Sequence, residues 1–286
     1  MSVGKYAVCA AFFCTLLCGC SKSASAGSAA GSSTAPAGSH VSEKAAVSFE
    51  TEMISRVVQK MSPRFQEEIV IAENDIPQFL EDLRAVLKEE ASFRDDDLSL
   101  FYLIDKKHSV SETYIPKDLV PLVKNSLFNI NRADLSLRPE AYASLKEMSA
   151  AAQKDGITLL VSSTYRSYEY QKNLFAHWVR VDGLEEAERE SARPGTSQHQ
   201  LGCAVDFGSI SDDFAETRMG RWIYENAADF GWSLSFPKEY EDITGYRWEC
   251  WHFRYIGKTA CAFQNTWFNG VQQYMLEFID GWKNLQ

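Results

Sequence analysis

Ser197-Gln198-His199-Gln200-Leu201-Gly202-Cys203-Ala204-Val205-Asp206 places an imidazole and a carboxylate seven residues apart. On a helix that spacing would be two turns, but Gly202 and the preceding Arg193-Pro194-Gly195 argue against a helix. In a regular strand, residues seven apart lie on opposite faces. The geometry left is a loop carrying His199 followed by a strand carrying Asp206. The run Glu249-Cys250-Trp251-His252 has the same parity problem and predicts a bulge or a strand end between Glu249 and His252. Upstream, Ile157-Thr158-Leu159-Leu160-Val161 reads as a buried strand breaking at Ser162-Ser163. It leads into Thr164-Tyr165-Arg166-Ser167, with Ser167 capping a helix that runs through Val179.

The three segments together compose a metal site with its own base. His199, Asp206 and His252 give a zinc ion, one per chain, three protein ligands and leave a fourth position for water. With one anionic ligand the site stays positive and lowers the pKa of that water. Glu249, three residues before His252, is placed to take the proton and return it to a leaving amine. Arg166 falls at a strand-to-helix corner and Gln171 in the first turn after it. Both can therefore face one pocket, Arg166 stabilising an oxyanion or gripping a carboxylate. Ser197 can donate a further hydrogen bond. The arrangement is one for hydrolysis.

Each element alone is weak. A His-x₆-Asp pair or a Glu-x-x-His run occurs by chance, and a lone Arg is most often a surface ion-pair partner. His40 falls in the tether, His108 and His177 read as structural or solvated, and Trp232, Trp248 and Trp251 as core aromatics. Ser235-Phe236-Pro237-Lys238 fits a Ser-x-x-Lys nucleophile motif but lacks a following Lys-Thr-Gly or Ser-Asp-Asn, so it reads as a decoy.

In combination the segments resemble the VanY-type D-alanyl-D-alanine carboxypeptidases, zinc peptidases of peptidoglycan metabolism. The matching pieces are Ser-x-His-x-x-Gly-x-Ala-x-Asp at 197–206, Glu249-x-x-His252 continuing as Phe253-Arg254-Tyr255-Ile256-Gly257, and the segment 163–171. The resemblance implies His199, Asp206 and His252 as zinc ligands, Glu249 as base, and Arg166, Gln171 and Ser197 as substrate contacts. It implies trimming of the terminal D-alanine from peptidoglycan stem peptides, with an LD-carboxypeptidase acting on tetrapeptides as the nearest alternative. A non-catalytic cell-wall binding module is the third reading, disfavoured by Glu249. The chain departs from the family pattern at Cys250, where an acidic residue or proline is common, and at Thr164, where glycine is common.

The rest of the 286-residue chain frames this site. Residues 1–19 read as a signal peptide, with Lys5 and an apolar run ending in Leu17-Cys18-Gly19-Cys20, which resembles a lipobox and implies lipidation of Cys20. An ordinary secretory signal is the alternative, and either exports the protein. Residues 20–44 are mostly Ser, Ala and Gly and read as a tether; Ser21 to Ser39 would reach on the order of 25 Å. Net charge of −10 and a pI near 5.1 argue against a nucleic-acid partner, and no protein partner is implied. Cys203, Cys250 and Cys261 read as buried free thiols, with a Cys203–Cys250 bridge as the alternative.

Residues 45–97 read as a helical extension, with helices over 45–61 and 75–90, the second capped by Asp75. The catalytic domain takes 98–286, with strands at 98–104 and 246–255. Helices are expected from Pro139 to Gly156, over 213–230 up to Gly231, and around Val271, Tyr274, Phe278 and Trp282. The fold class is α+β: a small antiparallel sheet carrying the zinc site, packed with helices, plus the N-terminal helical extension.

Overall fold

A computed structural model describes residues 39–92 and 98–285. The expected signal peptide, the lipidation site Cys20 and the tether as far as residue 38 lie outside the described residues. In chain order the elements are α1 (Ser39–Val58), α2 (Pro63–Glu68), α3 (Ile76–Ser92), β1 (Val120–Pro121), β2 (Phe128–Ile130), β3 (Ser136–Leu137), α4 (Pro139–Lys154), β4 (Leu159–Ser163) and α5 (Tyr168–Glu190). They continue with β5 (Ala204–Phe207), α6 (Arg218–Asn226), β6 (Trp232–Leu234), α7 (Glu241–Thr244), β7 (His252–Tyr255), α8 (Lys258–Trp267) and α9 (Gln272–Lys283). Among the described residues no helix is long and apolar enough to cross a membrane.

The main sheet has the order β2-β4-β5-β7-β6. β4, β5, β7 and β6 form the expected antiparallel sheet that carries the site, and β2 adds a parallel edge strand to it. The long crossover through β3 and α4 makes that parallel pair possible. β5 is central and every residue in it is buried, which explains its unbroken Ala-Val-Asp-Phe run.

Two expected strands contract. Residues 98–104 form a turn, although Leu100, Phe101, Leu103 and Ile104 are buried. Their carbonyls are claimed by two buried guanidiniums: Arg138 donates to the Leu98 carbonyl, and Arg254 to those of Leu100 (2.6 Å) and Tyr102 (2.9 Å). The 246–255 strand is reduced to His252–Tyr255, because Gly245 turns the chain in a left-handed conformation and the Glu249 N–H bonds to the Phe236 carbonyl. Glu249 therefore sits just before a strand end, as the parity argument requires. The 213–230 helix is split into a 3₁₀ turn at 212–216, α6 and a second 3₁₀ turn ending at Gly231.

The helical extension is part of the main core. α1 packs on α9 and α3 on α8. Phe79 is fully buried, its ring centroid 5.3 Å from those of Phe263, Trp267 and Phe278. Phe65, on a helix whose Ser62 caps the Phe65 N–H, meets Tyr274 edge-on at 5.0 Å. Each buried Phe contributes about 1.5–3 kcal/mol, with roughly 0.5–1.5 kcal/mol more per well-oriented aromatic pair.

Candidate metal centre

The sheet register sets the site. Asp206 on β5 pairs with His252 at the start of β7 and, across a bulge in β4, with Ser163. Three neighbouring strands thus present Ser163, Asp206 and His252 side by side. His199 comes from a 3₁₀ turn at 198–201, whose start is capped by Ser197 Oγ accepting from the His199 N–H. Gly202 closes that turn at φ +72° and leads straight into β5. A Cβ there would lie 2.8 Å from Leu119 Cδ2 in a backbone conformation that L side chains rarely adopt, so a larger residue strains the corner.

One ligand atom from each of His199, Asp206 and His252 lies within 4.8 Å of the others, and all three side chains are buried. His199 Nε2 is 3.2 Å from one Asp206 oxygen and His252 Nδ1 is 3.0 Å from the other. The two rings stand nearly perpendicular, 4.8 Å apart. His199 Nδ1 lies 2.6 Å from the Thr164 carbonyl, so its proton belongs there. That leaves His199 Nε2 as a buried atom without a hydrogen-bond partner, aimed where the other two donors converge. An orphaned imidazole nitrogen beside a carboxylate and a second imidazole is a donor set that fits a divalent cation, with the His–carbonyl contact as its outer support.

Arg166 closes one side. Its Nη2 donates to Asp206 at 2.5 Å, its Nε to Ser163 Oγ at 2.9 Å and its Nη1 to Gln171 Oε1 at 3.4 Å. Glu249 closes the other, with Oε2 3.7 Å from His252 Nδ1. A cavity of about 260 Å³ opens onto these groups, walled also by Ser197, Phe236, Tyr246 and Trp251. Gln171 is placed differently from expectation. It is buried outside the cavity wall, and its amide is used by Arg166, Ser191 and the Ala192 carbonyl. Position 171 therefore supports the guanidinium from behind the cavity wall.

The electrostatics follow from burial. Burial, then the Arg166 charge, lowers the His199 pKa to about 4, so the ring is neutral and able to ligate. Burial alone would raise Asp206, but the Arg166 guanidinium beside it outweighs burial and holds the carboxyl well below its ordinary range. For Glu249, burial and the Asp206 charge act together and push the carboxyl well above its usual value, against weaker pulls from Arg166 and Arg247.

The remaining candidates fall where the sequence reading put them, with small changes. Ser235 is buried and donates to Gln198, while Lys238 lies over Trp248, so the Ser-x-x-Lys pattern is no catalytic pair. Cys203, Cys250 and Cys261 are free thiols, Cys250 only half-buried and directed at the Ser211 and Asp212 carbonyls. His108 pairs with Asp105 at 2.9 Å, and His177 is exposed. Two supporting groups escaped the sequence reading, the Thr164 carbonyl and Gln198, whose Oε1 lies 3.1 Å from His252 Nε2. Thr164 holds its place through its hydroxyl, which accepts from the Ser136 N–H, so the departure from glycine leaves the site intact.

The family description VanY, D-alanyl-D-alanine carboxypeptidase, matches residues 134–258, which include every residue of the site. This segment is a VanY-family domain. The chain is 38% identical over 169 residues to YodJ of Bacillus subtilis (strain 168), whose name places it among carboxypeptidases; the match covers 57% of this chain and 62% of YodJ. It is 33% identical over 145 residues to a D-alanyl-D-alanine carboxypeptidase of Enterococcus faecalis (strain ATCC 700802 / V583), covering 48% of this chain and 53% of that one. The VanY-family similarity thus spans less than two thirds of the length of either curated relative. Among solved structures, the LdcB LD-carboxypeptidase is similar at 33% identity and a TM-score of 0.52, over 59% of this chain and 85% of LdcB.

Proposed function

We propose that this protein is a zinc-dependent D-alanyl-D-alanine carboxypeptidase that removes the terminal D-alanine from peptidoglycan stem peptides, with one zinc per chain. The observation that carries the reading is the convergence of His199, Asp206 and His252 within 4.8 Å, with a buried Glu249 beside them at the end of a cavity. An ion held by His199, Asp206 and His252 would supply positive charge to polarise an amide carbonyl and acidify a water, and would oppose the burial and Asp206 charge that raise the Glu249 carboxyl. Glu249 takes a proton from the attacking water and delivers it to the departing D-alanine nitrogen. Arg166, locked by Ser163, Gln171 and Asp206, brings a preorganised charge to the developing oxyanion and needs no rearrangement to do so. Phe236 and Trp251 line the cavity with apolar surface that keeps these charges poorly screened.

The likeness to LdcB supports a second reading, cleavage of the L-to-D bond of tetrapeptide stems at the same site. Mass spectrometry of defined penta- and tetrapeptides incubated with the protein separates the readings. Loss of one alanine from the pentapeptide alone supports the DD activity, and trimming of the tetrapeptide alone replaces it with the LD activity. If neither peptide changes, both give way to a binding role.

The same reading includes export and a lipid anchor at Cys20, supported by Leu17-Cys18-Gly19-Cys20 and the Ser/Ala/Gly-rich stretch after it. Cys20→Ala is expected to move the protein out of the membrane fraction or stall its processing. A wild-type chain that begins beyond Cys20 without lipid would contradict the anchor.

A further inference from the structure

A buried chain of amides runs from His252 through Gln198, in the cavity wall, to the start of α9. Ser233, Ser235, Gln198 and Gln272 are each at least 95% buried. Gln272, the first residue of α9, donates its Nε2 to the backbone carbonyl of Ser233 on β6 (3.3 Å). Gln198 donates its Nε2 to Gln272 Oε1 (3.2 Å). Gln198 Oε1 then faces His252 Nε2 at 3.1 Å and also accepts from Ser235 Oγ at 2.7 Å.

An amide side chain can usually be turned over without changing its outline, so its polarity must be read from a neighbour of unambiguous role. Here that neighbour is the Ser233 carbonyl, which can only accept. It requires the Gln272 NH₂ to point at it, so Gln272 Oε1 points at Gln198. Gln198 must then present its NH₂ to Gln272 and its oxygen to His252. The Ser235 hydroxyl rotates to suit and donates to that same oxygen. A backbone carbonyl three links away thereby demands a proton on His252 Nε2 and leaves the Nδ1 lone pair facing Asp206.

We infer that Gln198 and Gln272 are positioning residues: they set the tautomer and ring orientation of His252 so that Nδ1 is its ligand atom. Ser235, the decoy of the Ser-x-x-Lys pattern, is the third member of this relay. The relay also ties the metal centre to the N-terminus of α9. The inference rests on the proposed metal site and adds how one ligand is held. An outer partner of a ligating imidazole typically contributes 10- to 100-fold in metal affinity.

The test is zinc affinity, measured by competition with a chromophoric chelator, for the wild type, Gln198→Leu, Gln198→Glu and Gln272→Leu, alongside thermal melts of the metal-free proteins. Gln198→Leu is expected to bind zinc 10- to 100-fold more weakly. Gln198→Glu, which keeps an acceptor for Nε2–H, is expected to stay close to the wild type, and Gln272→Leu to fall between. In the zinc-loaded wild type the His252 Nε2 proton should give a slowly exchanging NMR signal that Gln198→Leu loses. Unchanged affinity in Gln198→Leu, or equal loss in Gln198→Leu and Gln198→Glu, would overturn the relay. Should Gln198→Leu fail to fold, equal affinity of Gln272→Leu and the wild type would overturn it instead. A wild type that binds no zinc defeats the metal reading itself, which is a separate result from a zinc-binding wild type indifferent to residue 198.

Discussion

The two ends of this molecule are built from opposite materials. Where α2 and α3 meet α8 and α9, the interior is Phe65, Phe79, Phe263, Phe268 and Phe278, held by ring contacts. At the end of the sheet the buried side chains are Ser163, Gln171, Gln198, His199, Asp206, Glu249 and His252, held by directional polar contacts. Apolar packing tolerates small displacements and its energy scales with area. A buried polar cluster has no such latitude, because each unmatched donor or acceptor is costly in a low dielectric. The aromatic end therefore carries stability and the polar end carries chemistry, at some expense to stability.

The widest separation between the two ends is expected from Glu249→Gln. The amide keeps the shape but cannot accept a proton, so turnover should fall about 10²–10⁴-fold while zinc content and melting stay near the wild type. Wild-type turnover in this variant would remove Glu249 as the base, and loss of zinc would make it a ligand. Phe79→Ala is the mirror experiment. Truncating a fully buried ring should lower stability by about 3–5 kcal/mol in denaturant titrations, leaving the turnover of the folded fraction unchanged. A variant that kept its stability but lost activity would break the division of labour.

Arg166→Lys keeps the charge but cannot reproduce three contacts to Ser163, Gln171 and Asp206. A loss on the order of 10- to 100-fold in activity is expected, with zinc retained. Activity equal to the wild type would make the guanidinium geometry irrelevant. The smallest effect concerns pH in the metal-free protein. Glu249 holds its proton to higher pH in the folded state than in the unfolded one, whose ordinary value is 4.5. The folded state then binds more protons, so this group's share of stability falls as pH rises above that value. Asp206 acts in reverse: its depressed carboxyl contributes stability that is present above 3.8 and lost as pH falls. Melting temperatures across pH should show a decline on the alkaline side that Glu249→Gln flattens, and an identical decline in both proteins would contradict the assignment.

The backbone around the candidate ligands and base was legible in the sequence because parity constrains it. Offsets of seven from His199 to Asp206 and three from Glu249 to His252 put each pair on opposite faces of a regular strand, so a turn before β5 and a strand end before β7 followed from spacing. The strand at 98–104 was misread because burial there comes from Arg138 and Arg254, more than thirty residues away in sequence, which capture its carbonyls. Gln171 was misplaced for a related reason. Its position in the first turn of α5 was correct, but the Ser191–Ala192 segment that draws its amide out of the cavity returns only after the long second half of that helix. The mixed sheet was invisible because β2 is three residues long and its parallel partner lies beyond α4.

The most direct measurement is a zinc titration. Protein stripped with a chelator and freed of it would receive zinc in steps while released D-alanine is followed on a pentapeptide substrate. Activity should be absent at the start, rise in proportion to added zinc and level off at about one equivalent per chain, with helix content nearly constant throughout. Full hydrolysis by demonstrably metal-free protein would contradict the account.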